Sequence, residues 1–183
     1  MATAIVLGTL LTLPASRPAN ALSDNRFDCR QETTIASSSV FAKPKELVYL
    51  VSTEGGSYRI RLTISTDQPP AWVNPTFTAI IGIHRLADNW DSYGGKKINR
   101  NLIGQSLSVL ELIMNEASPA PSIVPLGDGG IQIEWHKKQQ DLEITFAADD
   151  TPQFFYQNRA TGVEQIGFAS DVANLTQLLR NIA

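Results

Sequence analysis

Two groups of side chains in this sequence could do chemistry. The first is Glu134-Trp135-His136. In a β-strand, residues two apart project from the same face, so Glu134 and His136 stand side by side while Trp135 points the other way. A carboxylate beside an imidazole is an acid–base couple or the beginning of a metal site. A metal site needs a third ligand and groups that orient it, and the local sequence supplies neither. The second group lies in Leu86–Gly95, where Asp88, Trp90, Asp91 and Tyr93 precede a glycine pair. One reading is a fixed turn whose acids accept backbone amides, with Trp90 as anchor and Gly94 or Gly95 at positive φ. The other is a small acidic, aromatic recognition loop held by a rigid scaffold. It is not a phosphate loop, because no Lys-Ser/Thr follows and acids stand where phosphates need donors.

Other chemistries find no foothold. The sequence lacks a nucleophile elbow, HExxH, GxGxxG and a Walker-type loop, so no cofactor is expected. His84, the other histidine, falls on the apolar stripe of a helix, where a packed core histidine is the ordinary case. Lys96, Lys97 and Arg100 form one short basic cluster, and Lys137 and Lys138 another. Solvated turns explain both, and a nucleic-acid surface would require the two to merge.

The elements that position these residues follow from periodicity. Val48–Val51 and the alternation of Tyr58, Ile60, Leu62 and Ile64 about Glu54-Gly55-Gly56-Ser57 predict a β-hairpin. Arg59 and Arg61 share its polar face. Asn74-Pro75 reads as N-cap and first-turn proline of a helix running to about Asn89, with Phe77, Ile80, Ile81 and His84 on one side. A second helix from Asn99 carries Leu102, Ile103, Leu107, Leu110, Ile113 and Met114, which predicts a helix hairpin. A meander of short strands comes next, punctuated by Asp128-Gly129-Gly130, Lys137–Gln140, Asp149–Pro152 and Arg159–Gly162. Ser170 then opens a terminal helix with Val172, Leu175, Leu179 and Ile182 on one face. The expected fold is α+β: a helix hairpin and a C-terminal helix on one face of an antiparallel meander, with an N-terminal hairpin. Ile131, Ile133 and Trp135 share the face turned to those helices, so Trp135 is expected to be buried.

Length and composition bound the rest. The chain has 183 residues, 43% hydrophobic and 18% charged, with a formal net charge of -3. That suits one domain, residues 46–183, behind an N-terminal segment, residues 1–45. The acidic balance argues against a dedicated DNA-binding surface. One cysteine, Cys29, forms no internal disulfide, and no base or ligand surrounds it. The apolar run Ala4–Leu13 is about half the ~20 residues a membrane-spanning helix needs. It fits the core of a secretory signal with a small-residue cleavage site at Ala19–Ala21, although no Lys or Arg precedes it. An upstream extension or sticky arm is the alternative. The location is cytoplasmic, or exported if Met1–Ala21 is cleaved. Ser23 to about Lys45 reads as a flexible polar arm.

Asn89-Trp90-Asp91-Ser92-Tyr93-Gly94, followed by a helix and then Asp128-Gly129-Gly130 through Glu134-Trp135, resembles a family of small, uncharacterised bacterial proteins. The likeness covers about Leu86 to Phe146. It implies a common core and no activity, cofactor or catalytic residue. The function expected is a non-catalytic module binding a protein or peptide, with Asp88, Trp90, Asp91, Tyr93, Glu134 and His136 as candidate contacts. The rival is a small hydrolase or metal-dependent enzyme using Glu134 and His136 with Asp88 or Asp91. That rival requires those groups to converge in one pocket.

Overall fold

The computed structural model describes the backbone of residues 5–12, 45–53 and 56–64, and residues 69–183 in full. The Ala19–Ala21 site, Cys29, nearly all of the polar arm, the Glu54-Gly55 turn and the facing of the hairpin side chains lie outside the described residues. The chain divides into two compact units, Met1–Pro69 and Pro70–Ala183.

The first unit is a three-stranded antiparallel sheet, ordered β1-β3-β2. Strands β2 (Lys45–Thr53) and β3 (Gly56–Ile64) form the expected hairpin, in register from Lys45↔Ile64 to Thr53↔Gly56. The apolar N-terminal run supplies β1 (Ile5–Thr12), which pairs with β3 across a register shift between Gly8 and Leu11. Ile, Val and Thr suit a strand as well as they suit a leader. The hairpin thus groups with β1 rather than with the residues beyond Pro70.

The second unit is α+β. Helices α1 (Val73–His84) and α2 (Arg100–Ile113) precede strands β4 (Ser122–Pro125), β5 (Ile131–Lys137), β6 (Gln140–Phe146), β7 (Gln153–Asn158) and β8 (Val163–Phe168), and α3 (Val172–Ile182) ends the chain. The five strands form a simple antiparallel meander in sequence order. Short turns permit only this pairing between neighbours. Ile131, Ile133 and Trp135 on β5, Leu142, Ile144 and Phe146 on β6, and Phe154 and Tyr156 on β7 are buried beneath the helices. Alternate residues project from the other face, which no helix among the described residues covers.

The helix ends differ from expectation in three places. Trp72, not Asn74, caps α1, without a side-chain bond. The turn begins earlier because Val73 N donates to Pro70 O and the buried Trp72 anchors the segment, its Nε1 donating to Asn115 O at 2.8 Å. Helix α1 stops at His84 because Asn89 must adopt φ 63° for the loop that follows. Asp171, one residue after Ser170, caps α3 by accepting the Asn174 amide at 3.2 Å. Asn99 caps α2 as expected, accepting from Asn101 N. Helix α1 packs along β4, while α2 finds its helical neighbour in α3.

Candidate functional site

The Leu86–Gly95 loop uses its acids on its own backbone. Asp91 Oδ1 accepts the amides of Tyr93 and Gly95, each at 2.8 Å. Those amide bonds, Tyr93 first, hold the Asp91 carboxyl below the usual range. Asp88 Oδ1 accepts Lys97 N and Asn89 Oδ1 accepts Gly94 N, both at 2.8 Å. Gly94 sits at φ 92°, which a glycine tolerates without cost. Trp90 is half-buried, and its Nε1 finds no acceptor among the described residues. Tyr93, 94% exposed, is the aromatic that the loop turns to solvent.

The two motifs noted in the sequence meet here. Lys96 N donates to Gly127 O and Asn99 N to Gly129 O, both at 2.9 Å, so the loop is stitched to the turn between β4 and β5. Gly129 has φ 89°, and a Cβ there would come within 2.8 Å of Lys97 O. Asp128 secures the same turn through the amides of Gly130 and Ala148. The Asn-Trp-Asp and Asp-Gly-Gly segments are therefore two halves of one joint.

Glu134 and His136 lie at the other end of β5, on the face away from the helices. Seven residues of extended chain separate Gly129 from His136, about 20 Å. Asp88 and Asp91 are thus not brought to His136. Lys96, Lys97 and Arg100 are parted from Lys137 and Lys138 in the same way. Lys138 Nζ instead donates to Ala183 O at 2.8 Å, across the end of α3.

His136 finds partners that the sequence reading missed. The β5–β6 turn is two residues long, which sets His136 opposite Asp141. Nδ1 of His136 lies 2.7 Å from Asp141 Oδ1 and Nε2 lies 3.2 Å from Glu134 Oε2. Arg159 Nη2 donates to the same Asp141 oxygen at 2.7 Å. Carboxylates only accept, so this arrangement favours the protonated ring, in which both imidazole nitrogens donate. The bonds to Asp141 and then Glu134 raise its pKa above the ordinary value. Arg159, and after it His136, hold Asp141 below the usual carboxylate range against the opposing pull of burial. In the protonated form both nitrogens are engaged by carboxylates, and neither offers a lone pair to a metal. Among the described residues, no group of three or more His, Cys, Asp or Glu side chains is placed to hold a metal ion.

The rest of the open face is polar over β5 and β6, where Gln132 Nε2 donates to Glu143 Oε2 at 2.8 Å, and apolar at β8. Ile166 is 76% exposed and Phe168 58%, with Phe155 of β7 beside them by register. A shallow cavity of about 320 Å³ opens against Phe155 and Ile166. The strand alternation could have placed Ile166 and Phe168 on this face. That no described element of the second unit covers them is a tertiary fact, outside what alternation can show.

Comparison with known protein families, curated proteins and solved structures finds no match to this chain. Among the described residues, no helix is long and apolar enough to cross a membrane.

Proposed function

We propose that the chain is a non-catalytic binding module that takes an extended segment of a partner protein along β8. The contrast between the two edges of the five-stranded sheet carries this reading. Edge strand β4 is short, ends on Pro125 and lies against α1, all of which block further pairing. Edge strand β8 is longer, contains no proline or lysine, and exposes Ile166 and Phe168. A bare edge with apolar side chains is an aggregation hazard unless a partner strand covers it. Main-chain hydrogen bonds would give such a partner affinity, and alternate side chains would give it register.

The Leu86–Gly95 loop takes no part in docking along β8 in this reading, since Asp88 and Asp91 serve the loop itself. A likeness to small bacterial proteins would, in the same reading, be one of scaffold, since its motif residues build the joint.

The test is selection of a phage-displayed library of random dodecapeptides against the whole chain. Recovered peptides should lose binding to the Ile166→Asp/Phe168→Asp double variant and keep it with Tyr156-side core residues untouched. Peptides that bind this variant as well as the parent contradict the reading.

A further inference from the structure

We propose that the cavity beside β8 receives the side chain of a lysine or arginine from the bound segment. This rests on the reading of β8 as a docking edge and adds the chemistry of what docks there.

The cavity has two characters. Its apolar lining on the open face comes from Phe155 and Ile166, with Ala147 beside them. Its polar lining includes the acid Asp150 with Thr145 and Thr151. Asp150 Oδ1 accepts the Thr151 amide at 2.7 Å, which restrains the carboxylate. An aliphatic stem ending in a cation matches that arrangement, with methylenes along Phe155 and Ile166 and the charge at Asp150. A volume of about 320 Å³ is at the low end for small-molecule sites and ample for one long side chain.

The charges nearby have one sign. Asp149 and Asp150 precede β7, and Asp171 N donates to Phe168 O at 3.0 Å, placing a third acid at the same end of β8. Among the described residues, the basic groups of this face, Arg159 and His136, lie toward the opposite end of β7 and are bound to Asp141. An acidic side chain entering the cavity would meet repulsion, and a purely apolar one would bury the Asp150 carboxylate against it.

The same random dodecapeptide library is selected in parallel on the parent, Asp150→Asn and Asp150→Lys chains, each shown by thermal melt to remain folded. Parent-selected peptides should be enriched about threefold or more in Lys or Arg at one position beside an apolar pair, as an exposed ion pair allows. Asp150→Asn should lose the basic preference and keep the apolar pair, and Asp150→Lys should turn the preference to Asp or Glu. Apolar pairs without basic enrichment would overturn the cavity assignment and leave the edge reading intact. Basic enrichment that persists unchanged in Asp150→Asn would overturn it equally. Failure to recover any peptide contradicts the edge reading and this inference with it.

Discussion

The imidazole of His136 meets the carboxylate of Asp141 at 2.7 Å across the β5–β6 hairpin, and Arg159 shares the same oxygen. The pair is a pH-dependent clamp on the open face. His136 has a folded pKa above its unfolded value, so its contribution is complete below about pH 6.5 and is lost as pH rises through the folded value. Asp141 has a folded pKa below its unfolded value, so its contribution holds above about pH 4 and is lost as pH falls through the folded value. The clamp is therefore strongest between about pH 4 and 6.5. An NMR titration should place the His136 midpoint above that of a free histidine, and Asp141→Asn should lower it.

His84 works in the opposite direction. It is buried at the C-terminal end of α1, and burial first, then Arg100, Lys97 and Arg85, lowers its pKa to about 4. Below about pH 6.5 the unfolded chain takes up a proton that the folded chain refuses, so stability falls with pH until about 4. The loss is on the order of 3 kcal/mol, a large share of a typical domain's stability. Denaturant unfolding at pH 7 and pH 4.5 should show it, with His84 titrating well below His136 in the same spectra.

Trp135 is 3% exposed, and its Nε1 donates to Pro119 O at 2.9 Å, tying the sheet to the segment after α2. Trp135→Ala should cost about 3–5 kcal/mol, the usual penalty for truncating a buried aromatic. Glu134→Ala, on the open face, should change stability by less than about 1 kcal/mol. Chemical denaturation of the two variants checks the facing of β5 directly.

The joint between the two motifs has little room. Gly129→Ala puts a Cβ against Lys97 O and forces a left-handed φ on alanine. A loss of about 2 kcal/mol or more is expected, measurable by thermal melt.

The β5–β6 turn is strained in a removable way. Lys138 and Gln139 hold φ 54° and 60°, where a two-residue turn prefers Asn-Gly. Gln139→Gly should raise stability by about 1 kcal/mol, since the Gln139 carbonyl still accepts Arg159 N.

Most of this fold is legible in the sequence. Alternation on β5 and β6 places Ile131, Ile133, Trp135, Leu142, Ile144 and Phe146 inside, and the structure finds them there. Local rules went astray at helix ends, where tertiary anchors such as Trp72 outweigh capping preference. The site was less legible. Asp141 reaches His136 through strand register and Arg159 reaches Asp141 across a second hairpin, and no motif spans those separations. The loop acids attracted attention by composition, yet their oxygens serve amides a few residues away. The bare β8 edge was invisible because exposure depends on which elements cover a strand.

The most direct test of β8 as the docking edge is amide hydrogen exchange across residues 163–168, with and without a library-selected peptide. The expected result is slowed exchange of the outward β8 amides and shifted resonances at Ile166 and Phe168, with the Trp90–Tyr93 loop largely unchanged. Protection centred on Tyr93, or none on β8 at saturating peptide, would contradict it.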